Sequence, residues 1–186
     1  MGVFHHLWVL LKRAIYLLNG TQGAGKSTIA RLLAARFARG VALDADDLMR
    51  HVVSGLAPIT PPLSAEAETQ LRLRARVACK LADTYFEAGY IVAIAEILVG
   101  RLEHFRSGIK GRPLYLINLA PSLDVVKRRN ETRENKNVFE PWSPILDRAM
   151  RETMSGLGIW LDTSEQSPND TVDEILRRTQ NGGGAL

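Results

Sequence analysis

Residues Gly20-Thr21-Gln22-Gly23-Ala24-Gly25-Lys26-Ser27 spell G-x-x-x-x-G-K-[ST], a spacing in which each position has a mechanical job. The glycines permit a tight loop whose backbone N–H groups converge on a phosphate. The lysine ammonium reaches the β- and γ-phosphate oxygens, and the Ser27 hydroxyl is placed to ligate Mg²⁺. With Thr28 at the start of the following helix, residues Gly20, Thr21, Gln22, Gly23, Ala24, Gly25, Lys26, Ser27 and Thr28 form the candidate nucleotide cradle. The pattern implies a bound nucleoside triphosphate, ATP with Mg²⁺.

Two further clusters bear on what happens to that nucleotide. Asp44, Asp46 and Asp47 place three acids within four positions. A carboxylate there suits a general base that takes the proton of an attacking hydroxyl. Such aspartates also cap helices, accepting from the first free N–H groups, and both roles fit one cluster. The second cluster is cationic: Lys127, Arg128, Arg129 and Arg133. Arg129 and Arg133 are one helical turn apart and share a face. Arginines carried on a closing lid stabilise the charge that spreads over the equatorial oxygens in phosphoryl transfer. The alternative is a solvated basic face paired with Glu131 and Glu134. Arg72 and Arg76 on a long helix are candidates to line an acceptor pocket.

The elements that must position these residues follow from periodicity. Residues 14–19 form an apolar, β-prone run before the glycine loop, and residues 28–37 have helical spacing after it. Residues 41–43 read as a short strand ending at the acid cluster, with helix continuing to about Val53. Ser64 caps a long helix over about 65–88, which Gly89 ends. Residues 91–95 and 113–119 are buried strands. Ser122 caps a helix through 125–129. Residues 130–141 are polar and read as a mobile flap, and Ser143-Pro144 opens the next helix. Residues 158–162 form the last strand, and Ser167-Pro168-Asn169-Asp170 opens a final helix to about Arg178. Residues 182–184 read as a frayed tail. Alternating strands and amphipathic helices predict a mostly parallel α/β sheet. In such sheets the strand C-termini form the ligand crevice, so the acid cluster faces the phosphate loop.

The run Ile15-Tyr16-Leu17-Leu18-Asn19-Gly20 through Leu33, with Leu43-Asp44-Ala45-Asp46-Asp47-Leu48, resembles the P-loop small-molecule kinases. The branch it is most similar to is that of chloramphenicol phosphotransferase, the zeta-toxin sugar-nucleotide kinases and adenylylsulfate kinase. The likeness continues through residues 88–98 and Leu161-Asp162-Thr163-Ser164, covering about 14–178. It implies a nucleoside-monophosphate-kinase-like three-layer sandwich with a five-stranded sheet and a helical lid over about 129–143. It implies an acidic base after the second strand, best matched by Asp46, with Lys26, Arg129 and Arg133 completing the catalytic set and Asp44, Asp47 and Arg50 near the substrate. Related chains carry an acidic pair after the third strand near Mg²⁺; here Ala95 precedes Glu96, so Glu96 alone is available beside Ser27. The implied partner is a small molecule with a hydroxyl: an antibiotic, sugar nucleotide, nucleoside or metabolite.

Other functions are weighed against this. A GTPase is disfavoured because Asn135-Lys136-Asn137-Val138 lacks the Asp of N-K-x-D. A motor-type ATPase is disfavoured because the strict hydrophobic-then-Asp Walker B pattern is absent. A nonenzymatic nucleotide switch stays open. So does a polynucleotide 5′-hydroxyl kinase, since Asp47-Leu48-Met49-Arg50 is similar to the acid-and-arginine pairing of those enzymes. No aromatic-interleaved basic groove supports it.

The chain of 186 residues carries a net charge of +4 with 46% hydrophobic and 24% charged residues, an ordinary globular composition for one domain. Phosphorylated ligands account for the mild basicity without nucleic acid. Cys79 is the single cysteine; it reads as a core residue, and a reducing cytoplasm fits. Residues 1–13 read as an N-terminal extension. The apolar stretch Val3-Phe4-His5-His6-Leu7-Trp8-Val9-Leu10-Leu11 is too short to span a membrane and lacks the flanks of a secretory signal. It is taken as lying against the domain, with self-association or a membrane surface as the alternative, and the oligomeric state stays open.

Overall fold

The computed structural model describes residues 13–60, 62–131 and 142–186. Residues 1–12 of the extension expected over 1–13 and residues 132–141 of the flap expected over 130–141, with Arg133, lie outside them, while Asn130 and Glu131 belong to a helix. Five strands form one parallel sheet: β1 (Ile15–Asn19), β2 (Gly40–Asp44), β3 (Ile91–Ala95), β4 (Leu114–Leu119) and β5 (Ile159–Leu161), in the order β2-β3-β1-β4-β5. The helices are α1 (Lys26–Ala34), α2 (Ala45–Met49), α3 (Ala65–Glu87), α4 (Leu102–Gly108), α5 (Leu123–Glu131), α6 (Trp142–Thr153) and α7 (Pro168–Gln180).

The sheet is covered on both faces, which is why β1 and β3 read as unbroken apolar runs. Alternate residues feed two cores. Tyr16, Leu18, Ala93, Ala95, Ile117 and Leu119 pack with Ile29 and Leu33 of α1 and Val172, Ile175 and Leu176 of α7. Ile15, Leu17, Val92, Ile94, Leu114 and Leu116 pack with Ala75, Ala78, Cys79 and Ala82 of α3, Phe105 of α4 and Met150 of α6. The result is a three-layer α/β sandwich of the P-loop type expected.

Capping residues set helix starts as the sequence implies. Ser64 Oγ accepts from Ala67 N at 3.1 Å, Ser122 Oγ from Val125 N at 3.4 Å and Ser167 Oγ from Asp170 N at 3.2 Å. Other expectations shift. α2 is a single short turn ending at Met49 rather than reaching Val53, whose side chain stands in solvent. Ser143 lies within α6, which begins at Trp142. Residues 182–184 turn back onto β4 instead of fraying. Leu116 N donates to Gly184 O at 2.8 Å and Leu186 N to Leu114 O at 2.9 Å. β5 pairs only with residues 117–119 of β4, and the tail satisfies the polar edge that the short strand leaves open.

The consequence for function is the register. Leu18 on β1 and Asp44 on β2 both align with Ala95 on β3. With strands about 4.8 Å apart, the phosphate loop, the acid cluster and Glu96 all leave the sheet from one C-terminal edge. The chain winds away from β1 in both directions, so this edge is also the topological switch point.

Candidate active site

The glycine loop joins β1 to α1. Gly20, Gly23 and Gly25 have φ of 154°, 87° and 97°, values that L side chains rarely adopt. A Cβ on Gly20 would lie 2.7 Å from Leu119 O, whereas one on Gly25 would meet nothing within 4 Å. The loop is therefore packed against β4 at its base and open at the start of the helix. Gly25 is the N-cap of α1 and supplies no side-chain cap, and the first turn holds no acid. The first N–H groups of α1 are thus left for an anion, where the helix dipole favours negative charge. Lys26 Nζ donates to Gly20 O at 2.9 Å and Thr21 O at 3.0 Å, folded over the concavity. Ser27 and Gln22 are part-buried, Thr21, Gly23 and Ala24 are buried, and Thr28 is exposed. These residues fit a triphosphate. Among the described residues no group of three or more His, Cys, Asp or Glu stands together as a metal cage. Magnesium would then rest on Ser27, phosphate oxygens and water, the usual preference of that ion.

The three aspartates divide their tasks. Asp44 is the N-cap of α2, its Oδ1 accepting from Asp46 N at 3.0 Å. Asp47 pairs with Arg50, one turn along the same short helix. Asp46 is left with its carboxylate 81% exposed and 3.2 Å from Arg74 Nη1. Of the three it is the one that neither caps a helix nor pairs within its own turn.

Arg74 is the residue the sequence reading missed. Its side chain is 6% exposed, and Nη2 lies 2.6 Å from Glu96 Oε1, whose own side chain is 2% exposed. Glu96 Oε1 also accepts from Ile97 N at 2.8 Å. Burial pushes the Glu96 carboxyl above its ordinary value, with the Arg74 charge opposing and the Asp46 charge adding to the rise. Arg101, at the start of α4, has its pKa lowered by burial, against the pull of Glu96. Arg72 and Arg76 are exposed and off the buried stripe of α3, and the arginine that pairs with Asp46 and Glu96 is Arg74 instead. The signal for Arg74 was periodicity: Ala67, Leu71, Ala75, Ala78 and Ala82 define the inward stripe, and position 74 falls on it while 72 and 76 do not.

On the other flank, Arg129 on α5 donates from Nη2 to Thr163 O at 2.8 Å, tying α5 to the loop after β5. Its neighbour Asn130 is buried and donates from Nδ2 to Gln22 O at 3.3 Å. The helix leading into the expected lid therefore touches the phosphate loop directly.

These features define a P-loop nucleotide-binding fold. A family model described as an AAA domain matches residues 15–152, and the chain belongs to that family. No curated protein matches the sequence. Solved structures do match. A shikimate kinase from Acinetobacter baumannii in complex with shikimate has a TM-score of 0.62 at 21% identity, covering 91% of this chain and 94% of that one. The tunicamycin resistance protein of Deinococcus radiodurans has a TM-score of 0.62 at 19% identity, covering 90% and 96%. The APS kinase of Mycobacterium tuberculosis in complex with AMPPNP and APS has a TM-score of 0.61 at 19% identity, covering 89% and 96%. At these identities the likeness is one of fold. Among the described residues no helix is long and apolar enough to cross a membrane.

Proposed function

We propose that the chain is a phosphotransferase that moves the γ-phosphoryl group of ATP to a hydroxyl of a small molecule. The observation that supports this most is the placement of Asp46. It stands two residues past Asp44, the last residue of β2, which shares a register row with Ala95 and with Leu18 of the strand that enters the phosphate loop, and its carboxylate is open to solvent and held by one arginine. The kinases among the structural matches supply the comparison: the shikimate and APS held in two of them are small molecules.

In this reading Asp46 accepts the proton as the acceptor oxygen bonds to the γ-phosphorus and the bond to the bridging oxygen of ADP breaks. Lys26 turns from the loop carbonyls to the phosphates, and the N–H groups at the start of α1 hold the β-phosphate. Magnesium at Ser27, when bound, supplies charge neutralisation. Glu96, buried and engaged by Arg74 and by Ile97 N, acts here as a strand-end carboxylate that supports the site from behind rather than as a partner of that ion. Arg129 and Arg133 supply further positive charge from the lid. Asp47 and Arg50 stand as an ion pair on α2, the observation that keeps an oligonucleotide 5′-hydroxyl among the acceptors to test.

The test is ADP release from ATP·Mg across chloramphenicol, aminoglycosides, nucleosides, sugar nucleotides and a 5′-hydroxyl oligonucleotide. One acceptor should stimulate release. Asp46→Asn should retain ATP binding and lose about 10²–10⁴-fold in transfer, and Lys26→Ala should lose both. An Asp46→Asn enzyme as fast as wild type would refute the base assignment. ATP binding with no stimulation by any acceptor would favour a nucleotide-dependent switch.

A further inference from the structure

We infer that Arg74 is the positioning residue of the site: anchored by buried Glu96, it fixes the direction of the Asp46 carboxylate. The inference rests on the reading of Asp46 as the base. A base must lie within hydrogen-bond reach of the proton it takes, yet Asp46 sits on a five-residue helix with its side chain 81% exposed. Among the described residues, Arg74 is the one side chain that holds its carboxylate. A freely rotating aspartate would spend most of its time pointed away from the acceptor.

Arg74 can hold it because it is itself fixed. α3 buries the guanidinium against the end of β3, where Nη2 meets Glu96 Oε1 at 2.6 Å, leaving Nη1 to reach Asp46 Oδ1 at 3.2 Å. The planar fork lets one side chain serve two carboxylates in different directions, which a lysine ammonium does poorly. Stability gives no reason for this pair. Arg74 Nε and Glu96 Oε2 are both buried without a hydrogen-bond partner. Replacing a buried ion pair by apolar residues of similar volume is often neutral or stabilising. The charges are accounted for by the exposed carboxylate they hold.

The test uses Arg74→Met/Glu96→Met in the full chain, a double variant that removes both buried charges together and so avoids stranding either. Arg74→Lys serves as the conservative control. Crystal structures with a nonhydrolysable ATP analogue should show Asp46 on Arg74 in wild type. In the double variant Asp46 should be rotated away or spread over rotamers, with residues 44–49 otherwise unmoved. With the most stimulating acceptor of the panel, kcat should fall at least tenfold while KM for ATP stays within about twofold. Combined with Asp46→Asn, the double variant should lose no more than Asp46→Asn alone, because Arg74 acts through Asp46. Arg74→Lys should not restore the rate. An Asp46 rotamer unchanged in the double variant, an unchanged kcat, or independent additive losses would each overturn the inference. If no acceptor stimulates release, the kinase reading fails, and the crystal structures still decide whether Arg74 holds Asp46.

Discussion

At Arg74 one guanidinium touches a carboxylate sealed from water and another almost fully in it. The position on α3 decides this, since an arginine two residues to either side would face solvent. Arg72→Ala and Arg76→Ala are therefore expected to leave stability within about 0.5 kcal/mol of wild type, as surface substitutions usually do, and to leave transfer unchanged. Urea denaturation and the ADP-release assay check both; a tenfold loss of transfer in either variant would return that arginine to the acceptor pocket. This also shows how far the site was legible in the sequence. The glycine loop was, because each of its residues is fixed by local backbone needs. Asp44 as cap and Asp46 as the free acid were separable only in part, since both roles use the same residue type. The pairing of Arg74 with Glu96 spans 22 positions and has no local signature. A charged residue on an apolar stripe was the one available hint.

Among the secondary-structure elements, the buried amides of Asn19 and Asn118 tie together strands that the phosphate loop depends on. The two residues are paired in register across β1 and β4. Asn19 Nδ2 donates to Asn118 Oδ1 at 2.8 Å, and its Oδ1 accepts from Leu98 N at 2.9 Å in the segment after β3. Asn118 Nδ2 donates to Leu157 O at 2.9 Å, after α6. Asn118→Leu would take one partner from Leu157 O, which keeps Trp160 Nε1 at 3.1 Å, and one from Asn19 Nδ2, which keeps Met154 Sδ at 3.1 Å. At about 0.5–1.5 kcal/mol for each lost hydrogen bond, an overall loss of about 1–3 kcal/mol is expected, measured by urea denaturation. A loss below about 0.5 kcal/mol would mean that neither amide bond supports the sheet. The strands themselves were readable because both faces are apolar. α4 was not read, because in seven residues it buries only Phe105, too little for a period to show. The docked tail was not read either, because its glycines suit a turn as well as a frayed end, and the β4 edge it pairs with is a tertiary feature.

Across the whole molecule, each of the two cores on the faces of the sheet encloses one weak acid in neutral form. On one face, burial raises Tyr16 to about 12, with the nearby Tyr115 adding and a hydrogen bond to Thr179 opposing. On the other, burial raises the Cys79 thiol from 9.0 to about 11, with Asp83 adding. Both groups hold their protons more tightly folded than unfolded, so as pH rises the unfolded chain releases them first. Their contribution is complete below the unfolded values and falls as pH climbs toward the folded ones. For Cys79 the window opens at about pH 9, and for Tyr16 it opens near pH 10. At up to about 1.4 kcal/mol per pH unit for each group, the thiol alone should remove about 2 kcal/mol between pH 8 and pH 10.5. Urea midpoints measured at pH 8, 9.5 and 10.5 should therefore fall steeply in wild type. Cys79→Ala should start lower, because it opens a small cavity, and then fall less steeply from pH 8 to 9.5. Tyr16→Phe should follow wild type in that interval and diverge only above pH 10. Identical slopes in wild type and Cys79→Ala would mean that the thiol ionises as easily in the folded protein as in the unfolded chain, and that the face against α3 is open to water.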